Sequence, residues 1–167
     1  MADTKIVVRT DVLAPEQDFK ANYKCYHPSR LIGVMLEYLK MIWRVPSSAA
    51  YFDKIKWDRT GEVAEFYGDW RVLDKKDRFS KVTNRIVIQG KQGKDKMGEV
   101  TIKIKPTVIT ELPYATIIDK ALLWTYLNLV YKRQILQYVD IAQRRVKEFD
   151  AEVRKLLEIP PLEHPHK

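Results

Sequence analysis

ALLWTYLNLVY, residues 121–131, runs for eleven positions without a formal charge and carries apolar bodies on every side of a helix. A helix resting on one sheet face needs only one apolar stripe. A membrane span takes about 20 mostly apolar residues, roughly twice what is available here. Asp119 and Lys120 stand just upstream, and Lys132 and Arg133 just downstream. The segment therefore reads as a buried core helix, gripped on more than one side, in a chain with no membrane span.

Neither Pro nor Gly interrupts the chain from about Ile117 to Glu158. That predicts one long helix, about 60 Å if straight. Its second half narrows to Ile135, Val139, Ala142, Val146, Phe149, Val153 and Leu156, spaced alternately by 4 and 3. This is the seam of a heptad pattern. Such a seam pairs within the fold, docks a partner or forms a homodimer through residues 135–157.

Upstream, three segments alternate with a period of two: GEVAEFYGDWRVL (61–73), RFSKVTNRIVIQG (78–90) and GEVTIKIKPTVIT (98–110). Short polar or glycine-flanked connections join them, so they predict an antiparallel meander with one buried and one wet face. Nearer the N-terminus, KIVVRTDVL (5–13) and DFKANYKCYH (18–27) read as a hairpin turned by APEQ (14–17). The period changes in PSRLIGVMLEYLKMIWRVP (28–46), a helix halted by Pro46, and SSAAYFDKI (47–55) reads as a second short helix capped by Ser47 or Ser48. The expected fold is one α+β domain over residues 1–158. About five antiparallel strands pack on the long C-terminal helix, with helices after the N-terminal hairpin and a disordered tail at 159–167.

The paired helical segments LIGVMLEYLKMIW and SSAAYFDKI, the meander FYGDWRV, KVTNRIVI and EVTIKI, and the terminal helix ALLWTYLNLVYKRQILQYV together resemble the helix-grip architecture of START and Bet v 1-like proteins. The likeness covers about residues 5 to 145. It implies a non-catalytic protein that holds a hydrophobic small molecule between the curved sheet and the last helix. The inward parity supplies the lining that the resemblance implies: Phe66, Trp70, Asn84, Ile86, Ile104, Trp124, Leu127 and Tyr131. Asn84 is the polar member; a buried amide without a partner costs roughly 1–3 kcal/mol, so it either orients a ligand or bonds the backbone.

Charge marks a second surface. Of the chain's net +8, +7 falls between Arg71 and Lys105, where eleven basic residues face four acids. The outward parity carries Arg71, Lys81, Arg85, Lys103 and Lys105, with Tyr67 and Phe79 among them, and the loop after the second meander strand adds Lys91, Lys94 and Lys96. A basic sheet face with interleaved aromatics suits RNA or another anionic partner. It also serves as a solvated face that blunts strand edges.

Catalytic patterns are missing. Cys25 and His27 lie two apart but have no orienting third group, and no phosphate loop or nucleophile elbow appears. No catalytic residue, metal site or cofactor is assigned. One cysteine excludes an internal disulfide, and MADTKIVVRT lacks the apolar core of a secretory signal. A reducing, cytoplasmic setting is the expectation.

Overall fold

A computed structural model of the chain describes residues 4–159. The expected tail lies outside these residues except for Ile159. Six strands form one antiparallel sheet: β1 (Lys5–Asp11), β2 (Phe19–Tyr26), β3 (Ala50–Asp58), β4 (Ala64–Lys75), β5 (Ser80–Gln92) and β6 (Met97–Pro113). Helix α1 (Arg30–Trp43) lies between β2 and β3 in the chain. After β6 come α2 (Ile117–Tyr126), a π-helical turn (Leu127–Tyr131) and α3 (Lys132–Leu156), which follow one another without a break. The strand order is β1-β6-β5-β4-β3, with β2 also paired to β6. The fold is α+β, an antiparallel sheet against a long C-terminal helix. Among the described residues no helix is long and apolar enough to cross a membrane.

The meander forms as the alternation predicts. β4 pairs with β5 from Ala64↔Gln92 to Lys75↔Lys81, and β5 pairs with β6 from Ser80↔Thr110 to Gln92↔Gly98. Phe66, Trp70, Val72, Ile86, Ile88, Ile102 and Ile104 all point inward and are buried. Gly68 belongs to this face for a steric reason. A Cβ there would stand 2.0 Å from the Trp70 ring, so only glycine lets the indole lie across the strand.

Two strand expectations are corrected. β1 and β2 do not make a hairpin. β1 pairs with β6 from Lys5↔Pro113 to Asp11↔Thr107, and β2 pairs with the same strand from Phe19↔Ile104 to Tyr26↔Met97. They are consecutive lengths of one edge. At 17 residues, β6 is long enough to carry both. The chain between them loops away, pinned where the Val12 amide donates to the Pro106 carbonyl at 3.3 Å.

SSAAYFDKI is a single 3₁₀ turn, Ser47–Ala49, followed by β3. Ala50, Phe52, Ile55 and Trp57 face Val72, Trp70, Gly68 and Phe66, and a bulge falls between Phe52 and Lys54. The bulge stretches the apolar spacing from two to three at Phe52–Ile55. That hides the strand period and imitates a helical one.

The long helix forms as expected, and only the covering of its first half differs. In α3 the stripe Ile135, Tyr138, Ala142, Val146, Phe149 and Val153 is buried in its own chain, so the heptad seam pairs within the fold. α1 buries Leu31, Met35, Leu39, Ile42 and Trp43 beside the C-terminal half of α3, where Trp43 and Phe149 pack with ring centres 5.8 Å apart. Because α1 lies there, it does not cover α2. Thr116 caps α2 in a reciprocal box with Asp119, yet no residue of α2 is buried. Of the opening stretch, Leu127 and Tyr131 are buried, while Leu122, Trp124, Leu129 and Val130 are exposed. ALLWTYLNLVY is held on one side, where Leu127 joins Ile6 and Leu112.

Candidate functional site

Directly paired residues in an antiparallel sheet share a face, so the register assembles the outer surface row by row. One row runs Tyr51, Arg71, Arg85, Lys105 across β3 to β6. The next runs Lys54, Asp69, Val87, Lys103 and, on β2, Lys20. A third runs Lys56, Tyr67, Gln89, Thr101, Asn22. The buried stripes of α1 and α3 join the inward-facing clusters, which leaves this outer face open.

Neighbouring strands lie about 4.8 Å apart, so cations in one row repel unless acids intervene. Two acids do. Asp69, only 5 % exposed, receives the Arg85 guanidinium through Nε at 3.1 Å and a terminal nitrogen at 2.7 Å. That hydrogen bond and the charge of Asp69 raise the Arg85 pKa. Asp53 accepts from Arg71. Nearby, Lys91 pairs loosely with Glu65 at 3.7 Å. No ion pair forms with Lys20, Lys54, Lys56, Lys103 or Lys105 among the described residues. Contact with Lys54, and the repulsion between the two ammonium groups, lowers the Lys56 pKa. Toward the β1 end, Lys81 sits in a wider opening with Lys5, Lys75 and Arg78. Lys94 and Lys96 are exposed in the turn between β5 and β6.

At the far ends of β3 to β6 a groove of about 780 Å³ takes residues of both faces, with Lys56, Tyr67 and Lys91 set among the acids Asp58, Glu65 and Glu99. Tyr67 therefore stays with the basic residues. Phe79 packs edge-on against Tyr131 at 6.3 Å and has the Arg78 guanidinium over its ring at 5.6 Å, in the separate opening with Lys81. The sequence reading missed Lys20, Lys54 and Lys56, which lie outside the charge-rich 71–105 segment. Only the pairing of β2 and β3 brings them alongside it.

The inward residues form a packed core. Trp70 is 1 % exposed, Asn84 2 %, and Ile86 and Ile104 0 %, so a water-sized sphere hardly reaches them. Phe66, Leu127 and Tyr131 are buried as well, whereas Trp124 stands half-exposed on α2. Asn84 lies between Val72 and Pro106 in register, and neither its Oδ1 nor its Nδ2 has a protein partner. Asn84→Val is expected to raise the unfolding free energy by about 1 kcal/mol in urea titrations, because it removes an unpaired buried amide from a strand. A loss of stability instead would mean that the amide is engaged.

A polar cluster anchors the long helix to the β4–β5 turn. One Asp77 carboxylate oxygen accepts from the hydroxyls of Tyr131 at 2.6 Å and Tyr138 at 2.5 Å. The other accepts from the amides of Phe79 at 2.7 Å and Ser80 at 2.8 Å. The Ser80 hydroxyl lies 2.6 Å from the Tyr131 oxygen and 2.7 Å from that of Thr110. A carboxylate so fully engaged serves as an anchor, with little capacity left to act as an acid or base. Burial pushes the Cys25 thiol above its ordinary pKa, the opposite of what a nucleophile needs. Among the described residues no three His, Cys, Asp or Glu side chains gather to hold a metal ion.

No protein-family model matches the chain, and no curated protein matches it. Function is argued from the site itself.

Proposed function

We propose that the protein is a non-catalytic binding module for single-stranded nucleic acid, with RNA the expected partner, held along the outer face of the sheet. One observation carries this reading. Lys20, Lys54, Lys56, Lys103 and Lys105 converge from β2, β3 and β6 on an uncovered face, with no acid paired to them among the described residues. Phosphates would supply the missing counter-charge. Arg71 and Arg85 keep their acids, which limits repulsion in the unbound state. In the neighbouring row Tyr67 stands beside Gln89 and Thr101, a stacking surface with hydrogen-bonding groups at its edge.

The test is fluorescence anisotropy of a labelled oligouridine and its deoxy counterpart across a salt series. Each phosphate neutralised on a single strand contributes about 0.7 to the slope of log affinity against log salt. The paired variant Lys103→Gln/Lys105→Gln is expected to weaken binding about tenfold or more and to flatten the slope by about 1.4. Absent binding, or binding indifferent to salt and to both lysines, would remove the reading.

A further inference from the structure

The side of the long helix that the fold leaves open has its own chemistry. Ile118 is 73 % exposed, Leu122 65 %, Leu129 79 % and Leu136 57 %, with Trp124 and Val130 exposed beside them. α2 has ten residues, none of them buried. A helix that short is marginal in water without packing on one face. From Ile117 to Leu136 the charges are Lys120, Lys132 and Arg133 against a single acid, Asp119. Asp119 is engaged in the helix cap, accepting from the Thr116 amide at 3.0 Å.

We propose that this face, spanning α2, the π-helical turn and the first turn of α3, docks in the plane of an anionic lipid surface. The apolar side chains enter the headgroup boundary and Lys132 and Arg133, both exposed beside Leu129 and Leu136, meet lipid phosphates; Lys120 stands over the Tyr114 ring instead. Tyr126, 43 % exposed, is a residue type favoured at that depth. Charge selects this occupant over a second copy of the chain. Two copies joined through this face would bring Lys132 and Arg133 of each together, and the one acid of the stretch, Asp119, is already engaged. The proposal does not depend on nucleic-acid binding by the sheet, whose basic rows lie on a different face.

Co-sedimentation of the full chain with phosphatidylcholine vesicles, with and without phosphatidylserine, tests it. Binding is expected with phosphatidylserine and little without. Leu122→Glu/Leu129→Glu and Lys132→Glu/Arg133→Glu are each expected to lower vesicle affinity about tenfold or more. All four positions are on the surface, and circular dichroism would verify that the variants fold. Lys103→Gln/Lys105→Gln is expected to leave vesicle binding in place. No sedimentation with either vesicle overturns the proposal, as does equal binding to both. Loss of vesicle binding through Lys103 and Lys105 alone overturns it as well. A concentration-dependent doubling of mass that Leu129→Glu abolishes, without vesicle binding, assigns the face to a second copy instead.

Discussion

Phe149→Ala is expected to cost about 3–5 kcal/mol of folding stability, the range for truncating a fully buried phenylalanine. Phe149 is 0 % exposed and sits where α1, α3 and the inner sheet face meet. Its ring packs against Trp43 at a tilt of 52°. Removing it deletes an aromatic pair as well as apolar area. The surroundings cannot close the gap easily. Leu31, Met35 and Leu39 of α1 and Ile86 and Ile104 of the sheet are themselves fully packed in the same core cluster. Chemical denaturation followed by tryptophan emission and by circular dichroism would measure the loss, and coincident transitions would show that α1, α3 and the sheet unfold as one unit. A cost below about 1 kcal/mol would mean that α1 and α3 repack around the truncation.

Asp77→Ala is expected to lower stability by about 3 kcal/mol, because it removes at once the acceptor of the Tyr131 and Tyr138 hydroxyls and of two backbone amides, leaving Tyr131 only its contact with Ser80. The effect depends on pH. Burial alone would raise the Asp77 carboxyl, but the hydrogen bonds it accepts outweigh burial and hold it below its ordinary value. The folded state therefore binds this proton less tightly than the unfolded chain, whose carboxyl titrates near ~3.9. The contribution is complete above that pH and is lost as pH falls through the folded value. At the alkaline end, burial first and Asp77 second push the Tyr138 hydroxyl up to about 12. Burial and Asp77 raise Tyr131 as well. Their contribution is complete below the unfolded tyrosine value near ~10 and is lost as pH rises through the folded values. Urea midpoints measured across pH should show a plateau between these limits. Asp77→Asn should flatten the acid limb; an unchanged limb would place the acid sensitivity in other carboxylates.

The meander was legible because Phe66, Trp70, Ile86, Ile88, Ile102 and Ile104 keep strict alternation, and a period of two has few other meanings. The stripe of α3 was legible for the same kind of reason. β3 was not, because one extra residue at Asp53 broke its period and gave Phe52 and Ile55 a helical spacing. The hairpin misreading has a different origin. Nothing in Ile6 or Tyr23 says which strand each will meet, and β6 captures both β1 and β2. Part of the basic face was visible in Arg71, Arg85, Lys103 and Lys105, but Lys20, Lys54 and Lys56 join it only through those non-local pairings. Apolarity all round a helix ordinarily means burial, which puts Trp124 inside, whereas the fold leaves it half-exposed. Where α1 packs decides the matter, and the local sequence of α2 does not record that.

The shared pairing of β1 and β2 with β6 also fixes an order of events in folding. Lys5 meets Glu111 across 106 residues of chain, whereas β4, β5 and β6 connect through short turns. Closing so large a loop is entropically costly and slow, and it gains nothing until its far strand exists. During synthesis, the segment from Lys5 to Tyr26 leaves the ribosome with no strand to join, and it waits through the making of α1 and the whole meander. Of the six strands, the two made earliest are the last to be paired, and the exchange of their amide hydrogens during refolding would record that delay.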